Sequence, residues 1–294
     1  MIALNEINTE LRNTKSMNLD SMSLSASVDL MIDEEYHVIE SLKDQRENIV
    51  AVISKASDAM KINGRIIYVG AGTSGRLGVL DAVECMPTFG VDDNTVIGIM
   101  AGGEDAFIRA QEGAEDSLDS GEADLKKIRL TSSDIVIGIA ASGRTPYVIG
   151  ALKYANSFGA TTASISCSKN SKISDYADIS IEAVPGPEVL TGSTRLKAGT
   201  TQKLILNMIS TLSMVSVGKV YRNLMVDVKS TNKKLVERSK LIISQATSVD
   251  YDMASRFYIK SNGSVKVAIV MILNDCEYDE AIAILNRNNN FIKR

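Results

Sequence analysis

The sequence predicts an α/β fold: a five-stranded parallel sheet flanked by helices, with N-terminal helices before it and a small C-terminal helical domain after it. Three observations carry this. Five short apolar runs, at 66–69, 95–100, 134–140, 161–166 and 179–184, are continuous rather than alternating, as strands covered on both faces are. Stretches with helical spacing separate them, near 74–85, 104–112, 121–128 and 145–158, and that alternation indicates parallel βαβ units. With 294 residues the chain is long enough for one main domain and helical additions.

The elements follow in order. Residues 1–30 are polar and rich in Ser, Asn and Met, and read as an arm that packs on another surface, such as a second subunit. From Asp33 to about Ile62, Val38, Ile39, Leu42, Ile49, Val50, Ile53, Ala56 and Met60 recur at helical spacing, and Asn63-Gly64 is a stop signal. After Pro185-Gly186-Pro187 a long helix runs to Gly218; its Met/Leu/Ile face reads as core or dimer interface. Short helices follow around 235–246, 251–258, 265–273 and 279–285. The boundaries are 1–54 for the arm and first helix, 55–218 for the α/β domain, and 219–294 for the helical domain.

Composition excludes several classes. A net charge of −4 with no Lys/Arg-rich stretch argues against nucleic acid or an anionic membrane as partner. The opening MIALNEINTELRN lacks the basic and apolar regions of a secretory signal. The longest apolar run, Val267 to Leu273, falls far short of the roughly 18 residues that span a bilayer. Three scattered cysteines, Cys85, Cys167 and Cys276, make no disulfide framework, and with one histidine, His37, they argue against a zinc site. A reducing cytoplasm is the expected compartment.

Two loops carry the chemistry. VGAGTSGRLG, residues 69–78, follows the first strand and opens a helix, a place where backbone N–H groups suit a phosphate. Gly70, Gly72 and Gly75 fit a dinucleotide fingerprint, but that fingerprint needs an acidic residue ending the second strand, where Met100-Ala101-Gly102-Gly103 stands instead. GIAASGRTPYVIG, residues 138–150, repeats the arrangement. Gly72, Thr73 and Ser74 in one loop and Ser142, Gly143 and Thr145 in the other offer hydroxyls and N–H groups to one anion. The competing explanation is that these hydroxyls only cap helices.

This pair of loops resembles the sugar isomerase (SIS) domain, a three-layer αβα sandwich whose hydroxyl-bearing loops grip the phosphate of a phosphosugar. GAGTSGRLGVLDAVECMPTFG (70–90), EGAED (112–116), AASGRTPYVIGAL (140–152), GPEVLTGSTRLKAGTTQKLILNM (186–208) and GKVYRNLMVDV (218–228) together resemble the N-acetylmuramic acid 6-phosphate etherase family over nearly the whole chain. The resemblance implies removal of the D-lactyl ether from N-acetylmuramate 6-phosphate, in recycling of the bacterial wall sugar, with no metal or redox cofactor and as a homodimer. It implies Glu84 and Glu115 as the active-site carboxylates, Glu84 donating a proton to the leaving oxygen and Glu115 serving the other transfer, unless one carboxylate does both. Such an acid needs a raised pKa, so Glu84 is expected to be shielded.

Arg76 and Arg144 could reach phosphate or the lactyl carboxylate, or face solvent. Glu188, Ser193, Thr194, Arg195 and Lys197 lie in a segment that lines the site in the family. Cys85 reads as a packed thiol, and His37, among Glu34, Glu35 and Glu40, as a helix-surface residue with ring opening as its alternative role. Val83, Met86 and Arg222 depart from the family, Arg222 standing where glycine is usual. A phosphosugar sensor similar to the glucokinase regulatory protein, and an aldose–ketose isomerase, share the loops. The sensor would not need both glutamates, and the isomerase lacks the GPEVLTGSTRLKAGT stretch.

Overall fold

Strands β1 (Ile66–Gly70), β2 (Val96–Met100), β3 (Ile135–Ile139), β4 (Thr161–Ser166) and β5 (Ile179–Glu182) form one parallel sheet in the order β2-β1-β3-β4-β5. The structure, a computed structural model, describes residues 7–109, 111–230 and 232–292. Every residue of β1 and β3 is buried, as expected of central strands covered on both faces. The helices between the strands are α3 (Gly72–Phe89), α4 (Gly103–Ile108), α5 (Leu118–Lys127) and α6 (Pro146–Phe158).

Register at the amino ends of β1 and β3 is fixed by a buried ion pair. Asp134, 1% exposed, accepts from the backbone N–H, Nε and Nη2 of Arg65 at 2.9, 3.1 and 2.7 Å. Burial raises the Asp134 pKa, but Arg65 and the N–H of Thr131 outweigh it and hold the carboxyl below its usual range. The opposite, carboxyl ends of the same two strands carry the two hydroxyl loops.

Helix α3 lies close on the sheet because its inner face is glycine. A Cβ on Gly75 would stand 2.6 Å from Met100 Cβ and 2.8 Å from Gly70 O. The third glycine of the apparent dinucleotide pattern therefore has a packing reason of its own.

The amino end departs from expectation. In place of one helix from Asp33 there are two, α1 (Leu24–Asp44) and α2 (Arg46–Lys61), meeting at Gln45. The first begins nine residues early because Ser23 Oγ accepts the N–H of Ala26 and caps it. The expected 30-residue arm is thus shorter: single 3-10 turns at Asn8–Glu10, Thr14–Ser16 and Leu19–Ser21 precede the helix, and its residues 1–6 lie outside the described residues. The helix expected over 104–112 ends at Ile108, with Arg109 extended; residue 110 of that stretch lies outside the described residues.

The long helix is α7 (Lys197–Ser216), and α8 (Lys233–Thr247), α9 (Tyr251–Lys260), α10 (Val265–Asn274) and α11 (Tyr278–Arg287) complete the set. Before them, β6 (Val220–Tyr221) and β7 (Leu224–Met225) form an antiparallel hairpin that two-residue strands gave no periodicity to announce. Arg222 in its turn has φ +56°, a left-handed conformation that glycine adopts more readily than arginine.

The chain divides into two compact units. One comprises the residues up to Val83 together with Asn94–Ser210, and its core gathers Ile67, Val69, Leu125, Val136, Tyr147 and Leu152. The other comprises Glu84–Asp93 and Thr211 onward, with Ile243, Val265, Ile269, Val270 and Ala281 at its core. Among the described residues no helix is long and apolar enough to cross a membrane.

Candidate active site

The two hydroxyl loops leave neighbouring strands side by side. In the β1–β3 register Gly70 lies opposite Ile139, so residues 71–75 and 140–145 emerge together from the carboxyl edge of the sheet, where open α/β folds bind ligands. Each loop runs into a helix, α3 or α6, whose first N–H groups have no acceptor within the helix.

Their hydroxyls are not used as caps. Thr145 stands at the N-cap of α6 and makes no side-chain bond to the helix. Ser74 Oγ donates instead to Gln202 Oε1, at 2.9 Å. Elsewhere the chain caps in the ordinary way: Ser23, Ser117, Asn232, Asp250 and Ser264 all accept from their helices. The capping explanation therefore fails for Thr145 and for Ser74.

Gly143 shapes the second loop. Its φ is +70°, its N–H donates to Ala140 O at 2.9 Å, and its carbonyl accepts from Ile173 at 3.0 Å. A Cβ there would sit 2.1 Å from Ser171 Cβ. Gly143→Ala is thus expected to cost about 2–4 kcal/mol, the sum of left-handed strain and overpacking. Urea unfolding checks the stability loss, and titration with a phosphosugar checks that affinity falls with it.

The start of α7 closes a third side. Ala198 packs in one cluster with Ala141 of the second loop and Cys167 at the end of β4. A Cβ on Gly199 would meet the Thr73 methyl of the first loop at 3.6 Å. Glu188 holds this helix end in place: its carboxylate accepts the N–H of Lys197 at 3.0 Å and of Ala198 at 2.9 Å. Burial raises the Glu188 pKa despite those bonds. Lys197, 2% exposed, reaches Glu34 Oε2 at 2.6 Å, and Asn13 and Lys15 donate to the same carboxylate at 2.6 and 2.9 Å. Burial lifts the Glu34 pKa, but these donors outweigh it and bring it down to about 2. The carboxylate of Glu188 and the ammonium of Lys197, both expected to face substrate, are each satisfied within the chain.

The arginines separate. Arg76 donates through Nε to Phe107 O at 2.9 Å and through Nη2 to Ala106 O at 2.7 Å, which secures the last turn of α4. Arg144, half-buried on the second loop, has no hydrogen bond or ion pair with the described residues. Ser193, Thr194 and Arg195 form the turn before α7, where Ser193 N donates to Leu190 O and Thr194 O accepts from Gly199.

Glu115 sits exposed on a 3-10 turn, Ala114–Asp116, entered through Gly113 at φ +75°. Glu84 is exposed as well, almost three turns beyond Ser74 along α3. The expected shielding of Glu84 is therefore absent: its side chain is exposed among the described residues. Cys85 is buried, and His37 pairs with Glu40 on the surface of α1 at 2.9 Å. Residue types and spacing gave no sign of Gln202 or Glu34, whose partners lie 128 and 163 residues away in the chain.

Sequence patterns of known domains match the region of these loops. The pattern of the glucokinase regulatory protein N-terminal SIS domain matches residues 47–156, and that of the SIS domain matches residues 115–212. Over 293 residues, all of both chains, the sequence is 73% identical to N-acetylmuramic acid 6-phosphate etherase of Francisella philomiragia. The chain belongs to the N-acetylmuramic acid 6-phosphate etherase family. Similarity within the family extends to Bacillus cereus, whose etherase is 57% identical over 291 residues, 99% of each chain. Among solved structures, a phosphoheptose isomerase of Francisella tularensis is similar with a TM-score of 0.52 at 13% identity, covering 66% of this chain and all of that one. Phosphoheptose isomerase GmhA of Neisseria gonorrhoeae reaches 0.50 at 17% identity, covering 65% and 98%. At such identities the shared feature is the fold, and it is the SIS fold that the family's loops are built on.

Proposed function

We propose that this chain cleaves the D-lactyl ether of N-acetylmuramic acid 6-phosphate, giving N-acetylglucosamine 6-phosphate and D-lactate in the recycling of wall sugar. Family membership along the whole chain supports the substrate. The observation that carries the chemistry is the pair of loops on adjacent strands whose hydroxyls, at Ser74 and Thr145, are not used as helix caps. Thr73, Ser74, Ser142 and Thr145, with the N–H groups at the starts of α3 and α6, hold the 6-phosphate, and Arg144 adds a cation at the same loop.

The sugar reacts in its open form. A base removes the proton from C2, beside the aldehyde at C1. The bond from C3 to the lactyl oxygen breaks as an acid protonates that oxygen, leaving a C2–C3 double bond. Water then adds, its oxygen to C3 and a proton to C2. Glu84 supplies the acid and Glu115 the remaining transfer. Neither step calls on a group beyond water and these carboxylates.

An exposed carboxylate is a poor acid near neutral pH, so something must cover Glu84. Its own helix face is apolar and exposed: Leu80, Val83 (60% exposed) and Met86 flank it. Leu24, Val28, Met31, Ile32, Tyr36 and Ile39 make a second exposed apolar stripe along α1. A second copy laid on such faces would remove water from Glu84, and this supports a homodimer whose sites need both chains. The α7 face read as core or dimer interface gives Ile205, Leu206 and Ile209 to the core, while Leu212 and Val215 stay exposed. The few, scattered cysteines of the sequence support a reducing cytoplasm.

Reaction in isotopically labelled water tests the route. The product is expected to carry solvent oxygen at C3 and solvent hydrogen at C2, with D-lactate keeping its ether oxygen. Interconversion of hexose phosphates without lactate, or binding without turnover, would overturn it in favour of an isomerase or a sensor.

A further inference from the structure

We propose that Gln202 is the positioning residue of the phosphate site: its side-chain amide sets the direction of the Ser74 hydroxyl and exchanges ends when phosphate arrives. The inference rests on Ser74 being a phosphate ligand. Gln202 stands on the second turn of α7 and is 1% exposed, and Ser74 is 7% exposed. The single hydroxyl proton of Ser74 goes to Gln202 Oε1. The other end of the same amide, Nε2, is buried and has no hydrogen-bond partner among the described residues.

Burying an amide N–H without an acceptor is costly, and such groups are rare enough to need a reason. A serine hydroxyl has one proton and cannot give it to a carbonyl and a phosphate oxygen at once. For Ser74 to donate to phosphate it must release Gln202 Oε1. A half-turn of the amide then brings Nε2 to Ser74 Oγ, donating to the oxygen while the serine proton goes to the phosphate. One hydrogen bond becomes two and the buried donor gains its acceptor, while Oε1, taking the place of Nε2, gives up its donor. The turn needs little room, because the two ends of the amide have nearly the same shape. Helix α7 keeps the amide at this distance through its first turn, fixed by Glu188 below and packed on Thr73 through Gly199.

Calorimetric titration with N-acetylglucosamine 6-phosphate tests this on Ser74→Ala, Gln202→Met, Gln202→Glu and the Ser74→Ala/Gln202→Met pair. Ser74→Ala is expected to weaken binding about tenfold or more, the scale of one hydrogen bond to an ion. Gln202→Met, which keeps the shape and removes both amide ends, weakens it about tenfold with Ser74 present, and by no more than about twofold once Ser74 is alanine. Gln202→Glu is an acceptor only, pins the serine proton away from phosphate and adds negative charge, so it weakens binding further than methionine does. Should methionine prevent folding, Gln202→Leu, which also removes both amide ends and adds no charge, completes the same cycle with Ser74→Ala. A structural role for Gln202 would weaken binding equally in both backgrounds. That result, or no loss with Gln202→Met, overturns the positioning role while leaving the phosphate site in place. Wild-type affinity in Ser74→Ala removes Ser74 from the phosphate ligands and overturns the premise of the positioning role.

Discussion

Replacing Glu84 by glutamine is expected to slow D-lactate release by about 10²- to 10⁴-fold, the usual worth of a positioned acid. Glutamine has nearly the shape of glutamate but carries no transferable proton, so the lactyl oxygen would leave as an unprotonated alkoxide. Affinity for N-acetylglucosamine 6-phosphate should stay within about twofold, because binding energy from the phosphate loops is separate from groups that act in the transition state. The same variant divides the two carboxylates. If Glu84 is the acid alone, Glu84→Gln still exchanges the C2 proton of substrate with deuterated water, and Glu115→Gln does not. If one carboxylate does both jobs, Glu84→Gln loses exchange and release together. Lactate release near the wild-type rate in Glu84→Gln would remove the residue from the mechanism.

Lys197→Met is expected to destabilise the α/β unit by about 3–5 kcal/mol, measured by urea unfolding, because it leaves the buried carboxylate of Glu34 with Lys15, Asn13 and, at 3.9 Å, His37. Removing both charges with Glu34→Leu/Lys197→Met should recover most of the loss, since the pair is costly to bury but far costlier to break. The pH dependence has a definite sign. Glu34 ionises at about 2 in the folded chain against an ordinary value of 4.5, so its stabilisation is complete above about pH 4.5 and fades as pH falls toward 2. In Lys197→Met that acid-side loss should shrink, because the native carboxylate no longer has its strongest donor. Equal stability of wild type and Lys197→Met at neutral pH would show that the pair contributes nothing.

The readable part of the fold was the part written in short-range pattern. All five strands lie where continuous apolar runs place them, and the two loops sit at adjacent carboxyl ends because parallel βαβ order leaves few other arrangements. The boundaries that went astray were decided by single side chains. Ser23 starts α1 early by capping it, and two-residue strands such as β6 and β7 are too short for any period to register.

By itself the sequence determined the sheet, the hydroxyl loops and the family, since each depends on residues close together along the chain. Only the tertiary structure decided that Ser74 gives its proton to Gln202, that Lys197 is neutralised by Glu34, that Glu188 caps α7 and that Glu84 faces solvent in one chain. The Ser74–Gln202 and Glu34–Lys197 pairs join residues more than a hundred positions apart, and the free energy of every such contact depends on what surrounds it after folding, which no local spacing encodes.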